Sequence, residues 1–251
     1  MKINHVHGNL RIKIIKLSSY LLSKILFIGF KLFCPNIQYK SNDILISRAT
    51  YAPWKMNRDY EKYYQKIKDL TLLDHPRLFT FYYLCSQVKN INAEILDIGC
   101  MKGGVGILLS SNNNKGRTVL IDTFDGFLDK EDLHSGEVFK YKGMEELKLT
   151  IKKLKLKNTF VYKKYFPKNV NDIKIRKIKL CHIDVNTYHS TKKSFDYVKN
   201  KIVKNGYIVF DDYGMYGVEK VTDLINKILK KDSQKFTFIF NYFGQCILVK
   251  K

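Results

Sequence analysis

Five aspartates, Asp97, Asp122, Asp184, Asp211 and Asp212, each fall at the end of a short apolar run in this chain of 251 residues. If those runs are strands of one sheet, the carboxylates converge on one rim, where they repel strongly unless a cation lies between them. Such a collection predicts a site. The first acid opens the turn Asp97-Ile-Gly99-Cys-Met-Lys-Gly103-Gly104. Its glycines allow a tight bend and let a ligand approach the backbone. A nicotinamide-binding turn would read G-x-G-x-x-G, and the spacing here, G-x-x-x-G-G, does not fit it. His182 sits inside an apolar run and reads as an oriented structural histidine. Cys34, Cys85, Cys100, Cys181 and Cys246 are odd in number and form no C-x-x-C. They predict neither a zinc site nor a disulfide framework, and they suit a reducing cytoplasm.

The elements that must position these residues follow an alternating pattern. Residues 57–88 read as helical, with Tyr60, Tyr63, Tyr64, Ile67 and Leu70 at mixed three- and four-residue spacing. From residue 93, strand-like AEILDIGC gives way to helix-like GVGILLSS, then to strand-like RTVLIDTF ending at Asp122. A polar loop from Gly126 to about Gly143 precedes a helix around 144–156. TFVYKK and IKLCHID (178–184) read as the third and fourth strands, residues 190–203 as a helix, and YIVFDD (207–212) as the fifth strand. A helix over 218–231 and two strands joined at Phe243-Gly244 complete the chain. Alternation of this kind predicts an α/β fold, a mostly parallel sheet under helices with an antiparallel hairpin at or near its edge. Ligands of such sheets bind outside the carboxyl ends of the strands, where the five acids are expected.

The glycine turn is similar to the D/E-x-G-x-x-x-G motif of S-adenosylmethionine methyltransferases. Read together with IDTFDGF, KIKLCHIDVNTYHSTKKSFDYV and KNGYIVFDDYG, it closely resembles the macrocin and mycinamicin sugar O-methyltransferase family. YAPW (51–54) and TLLDHPR (71–77) look like that family's N-terminal region, so the resemblance covers about residues 50–250. It implies a Rossmann-like class I methyltransferase sheet with N-terminal helices, and methyl transfer to a sugar hydroxyl in surface polysaccharide or glycosylated natural product synthesis. It sets Asp97, Gly99, Gly103, Gly104, Asp122 and Phe124 around S-adenosylmethionine, with Asp122 on the ribose hydroxyls. It further implies a divalent metal, magnesium, on Asp184, Asp211 and Asp212. Magnesium prefers hard oxygen ligands and keeps positions for water or substrate, so two vicinal hydroxyls could complete its shell. The family reads H-I-D-x-D-x-Y where this chain has Asn186, and an amide cannot accept a proton at neutral pH. Asp184 or His189 is then the candidate base.

The charge is 45 − 23 = +22. It would suit nucleic acid or an anionic membrane, but the lysines are scattered over the whole chain and do not choose a function. A nucleic-acid amino methyltransferase would need Asn/Asp-Pro-Pro-aromatic after the fourth strand, where this chain has Asp184-Val-Asn-Thr-Tyr188, and no Pro-Cys of a cytosine C5 enzyme occurs. A non-catalytic membrane-associated protein with this fold is the remaining alternative. Residues 11–35 are apolar but interrupted by lysines, too short a run to span a bilayer. At about 100° per residue, Lys13, Lys16, Lys24 and Lys31 lie within roughly 80° of arc. That stripe predicts an amphipathic helix at the inner membrane face or against a second subunit. Residues 1–50 are therefore expected as an appendage and 51–251 as the methyltransferase domain.

Overall fold

A computed structural model of the chain describes residues 10–33, 52–126, 143–168, 170–215 and 218–251. Cys34, Tyr51 of the YAPW segment and most of the loop between Gly126 and Gly143 lie outside the described residues. The chain divides into a unit Met1–Met56 and a unit Asn57–Lys251. The first contributes helix α1 (Leu10–Phe33) and a 3-10 turn, Pro53–Met56. Ile14, Leu17, Leu21, Ile25 and Leu32 of α1 are exposed. No helix among the described residues is long and apolar enough to cross a membrane.

The second unit begins with α2 (Arg58–Ile67) and α3 (His75–Val88), then alternates: β1 (Glu94–Ile98), α4 (Gly104–Ser111), β2 (Thr118–Asp122), α5 (Met144–Lys153), β3 (Thr159–Lys163) and β4 (Ile178–Ile183). It continues with α6 (Tyr188–Val198), β5 (Ile202–Phe210), α7 (Glu219–Lys231), β6 (Phe236–Asn241) and β7 (Gln245–Lys250). The sheet runs β3-β2-β1-β4-β5-β7-β6. The first five strands pair in parallel, and β7 pairs antiparallel with both β5 and β6. The strand order reverses between β1 and β4, which opens a crevice at their carboxyl ends.

Side chains alternate across each strand. Leu96, Ile98, Cys181, Ile183, Ile208 and Phe210 share a core with Phe195 of α6 and Leu224 and Ile225 of α7. The intervening residues Asp97 and His182 face the other side. There Phe81 of α3 meets the His182 ring edge-on at 4.6 Å between centroids, and α4 approaches so closely that a Cβ on Gly106 would lie 2.9 Å from Asp97 Oδ2.

Two expected boundaries move. The single helical stretch over 57–88 is two helices, because Asp74 caps α3 through its carboxylate, which accepts from the Arg77 amide at 3.0 Å, and Pro76 occupies the first turn. Such a start ends the preceding helix. The helix expected over 190–203 stops at Val198, and β5 begins at Ile202, whose buried side chain belongs to the sheet core. At the opposite end of the sheet from the crevice, the buried Lys179 ammonium donates to the carbonyls of Lys89, Ile91 and Lys115 and to Asn113 Oδ1, at 2.7–3.1 Å. Burial brings its pKa down to about 8.

Candidate active site

The glycine turn shapes itself against the rest of the protein. Gly99 has φ +87°, and a Cβ there would lie 1.7 Å from the Asp184 carbonyl oxygen, so β1 and β4 can meet only at glycine. The Gly104 amide donates to the Leu70 carbonyl at 3.0 Å. A Cβ on Gly104 would meet that same oxygen at 2.6 Å. The connection from α2 to α3 therefore lies directly on the turn. Tyr60 holds that connection in place: its ring contacts Phe79 and Tyr82, and its hydroxyl is 3.1 Å from His75 Nδ1. Gly103, φ +81°, faces the Leu147 side chain and is not among the residues lining the cavity.

A cavity of about 230 Å³ opens at the crevice. Its walls include Leu70–Leu73 on one side and Asp97, Gly99, Gly104 and Asp122 beneath, with Asp184, Asn186 and Asp212 opposite. Asp122 is fixed at both oxygens, accepting from the Met101 amide at 2.8 Å and the Phe124 amide at 2.7 Å. Burial nonetheless raises its pKa. Phe124 is buried with φ +54° and contributes through its amide. Each Asp122 oxygen keeps a second lone pair, so a rigid acceptor faces the cavity where a diol could donate to it.

Opposite stands the acidic cluster. Asp184 and Asp211 follow β4 and β5, their amides bonded to the Ile98 and Ile183 carbonyls. Burial first, then Asp211 and Asp212, hold the Asp184 carboxyl well above the usual range. Asp212 is also raised, by burial and Asp211, and sits in the left-handed region at φ +59°. His182 Nδ1 is 2.8 Å from Asp97 Oδ1, the two being cross-strand partners. Burial alone would depress that imidazole, but the Asp97 hydrogen bond and charge, with Asp211 and Asp184, raise it to about 9. His182, Asp184 and Asp211 present ligand atoms within 4.8 Å of one another, while Asp212 turns its Oδ1 toward Arg77.

The sequence did not single out Arg77 as a partner of these acids. Its Nη1 donates to Asp211 Oδ2 at 3.2 Å and to Asp212 Oδ1 at 3.3 Å, and its Nε is 3.3 Å from Asp74 Oδ2. The available signal was an arginine in the first turn of a helix, within the quoted TLLDHPR, beside acids lacking a counter-charge. His189 is exposed on the first turn of α6 and is not among the residues lining the cavity. Asn186 lines the cavity with φ +51°, a conformation asparagine tolerates.

The residues fit a divalent cation. Asp211 Oδ1 and Asp97 Oδ2 are buried without a hydrogen-bond partner, an arrangement costly for carboxylates. Asp184 and Asp211, grouped with His182, supply hard oxygens of the kind such an ion prefers.

Comparison with known proteins agrees with the geometry. The chain shares its fold with the O-methyltransferase NovP at TM-score 0.63 and 18% identity, over 72% of this chain and 82% of that one. The calicheamicin methyltransferase CalS11 matches at TM-score 0.57 and 16% identity, over 80% and 94%. An O-methyltransferase from Bacillus cereus, solved in complex with SAH, matches at TM-score 0.54 and 14% identity, over 78% and 91%. No curated protein sequence matches. Residues 69–232, more than half of the chain, match the macrocin-O-methyltransferase (TylF) family. The chain belongs to that family and is an S-adenosylmethionine-dependent O-methyltransferase.

Proposed function

We propose that the acceptor is a hydroxyl of a sugar carrying a vicinal diol, and that a divalent metal, magnesium, orients it. The observation that carries this reading is that one cavity joins the glycine turn and Asp122 to the cluster Asp184, Asp211 and Asp212. The family name and the neighbour CalS11, a TDP-rhamnose 3'-O-methyltransferase, support a sugar. S-Adenosylmethionine supplies an electrophilic methyl group, and a bound divalent ion lowers the pKa of a coordinated hydroxyl. Asp122 would hold the ribose, Gly99 and Gly104 would leave room for the methionine half, and Asp97, through His182, would stiffen the floor between the two halves. Asp184, Asp211 and Asp212 would hold the ion. His182, hydrogen-bonded through Nδ1 to Asp97, would stand beside them and hold its ring in place.

In the transfer the acceptor oxygen bonds the methyl carbon, the carbon–sulfur bond breaks with its electrons going to sulfur, and the hydroxyl proton leaves to Asp184 or to water. With Asn186 unable to accept that proton, Asp184 is the base within the cavity. We also propose that α1 brings the enzyme to an acidic membrane surface, as its exposed Ile and Leu side chains suggest. Calorimetry tests the cofactor half: Asp122→Ala should weaken S-adenosylmethionine binding by roughly 10- to 100-fold, through lost hydrogen bonds to a charged acceptor. Unchanged affinity, or preferential binding of NAD, would remove the assignment.

A further inference from the structure

Arg77 reaches the acidic cluster from another part of the chain. It lies in the first turn of α3, at the end of the connection that covers the glycine turn. Its side chain is 13% exposed. Nε lies 3.3 Å from Asp74 Oδ2 without a hydrogen bond to it, and Nη1 is shared between Asp211 and Asp212. A planar guanidinium set among three carboxylates in this way has little freedom to leave. Asp211 and Asp212 each offer one oxygen to it, and Asp211 Oδ1 stays buried and unpartnered.

We propose that Arg77 is a built-in counter-cation and positioning residue of the metal site, holding Asp211 and Asp212 together before the ion arrives. This rests on the metal reading above. Arg77 touches Asp211 Oδ2 and Asp212 Oδ1, so it fixes the carboxylate orientation and is not itself a catalytic residue. It also follows the connection whose Leu70 carbonyl accepts from the Gly104 amide, on the glycine turn.

The test is calorimetric titration of the full chain, without methyl acceptor, with Mg2+, Mn2+ and La3+. Arg77→Gln keeps a donor but removes the charge. It should bind Mn2+ roughly tenfold more tightly or better, because a like charge a few ångströms from the ion is gone. The La3+/Mn2+ affinity ratio should rise by a further factor of about ten on the same Coulomb grounds. Arg77→Lys keeps the charge and should hold the wild-type La3+/Mn2+ ratio. Melting without metal should fall in Arg77→Gln and recover when Mn2+ is added. A merely structural arginine would lower the melting temperature without changing the La3+/Mn2+ ratio. Equal or weaker Mn2+ binding by Arg77→Gln, with the wild type binding normally, overturns the counter-cation. Failure of the wild type and both variants to bind any of the three ions overturns the metal reading itself.

Discussion

At the scale of single residues, the site is built from side chains whose positions are dictated by backbone geometry nearby. Gly99 is the sharpest case, since β1 and β4 touch there and the residue also sits at φ +87°. Gly99→Ala should cost about 3 kcal/mol or more, from positive φ together with a backbone clash. For a chain of this size that is a fall of roughly 6–12 °C in Tm, readable by calorimetric melting. A change under a degree would show that the contact relaxes at no cost. The five acids were legible in the sequence because each ends an apolar run, and strand ends are where this class of sheet binds ligands. Arg77 was not legible as their partner. Its acids lie 134 and 135 residues away, and no local pattern reports a contact over such a separation. Nor was the exposure of His189 legible, because helix periodicity gives the face of a residue only once the helix's own docking is known.

At the scale of elements, one connection borders the cavity and another closes the far end of the sheet. The first is the α2–α3 break. Asp74→Ala removes the cap of α3 and should destabilise by about 1 kcal/mol. It also frees Arg77 Nε, so metal binding should change along with stability. A loss of stability with unaltered ion affinity would separate the cap from the site. The break was written in the sequence as Asp-His-Pro, but the aromatic periodicity on both sides ran the two helices together. The start of β5 was hidden in the same way, because Ile202 and Val203 continue an apolar helical pattern across the turn at Lys199-Asn200. The second connection is pinned by Lys179. Replacing it by Met leaves buried carbonyls unpaired, at a cost of about 1–3 kcal/mol for each acceptor that finds no water. The sign of its pH dependence follows from a folded pKa below the unfolded one. Between about pH 8 and the ordinary lysine range the unfolded chain holds the extra proton, so stability rises with pH there. The wild type should gain stability relative to Lys179→Met across that window in parallel chemical unfolding series. A gap that narrows instead would show that the ammonium is favoured by its carbonyl cage.

At the scale of the whole molecule, the alternation of strands and helices was legible from residue 93 onward, and the sheet order follows the rule that a terminal hairpin adds antiparallel strands beside β5. The setting of α1 was not legible, since an apolar helix face does not name its partner. On anionic vesicles the full chain should sediment, with binding weakened by salt, while a chain starting at Asn57 should stay in solution. A full chain that stays in the supernatant as a dimer would make α1 a subunit contact. What the cavity does can be tested directly. The full chain is incubated with deuteromethyl-labelled S-adenosylmethionine and a panel of nucleotide-linked deoxysugars bearing vicinal hydroxyls, with Mg2+ or with excess EDTA, and the products are read by mass spectrometry. A labelled methyl ether on a sugar hydroxyl is expected, formed with Mg2+, abolished by EDTA and restored when Mg2+ is returned. Label appearing in added RNA or DNA in place of the sugars, or sugar methylation undiminished in EDTA, would contradict it.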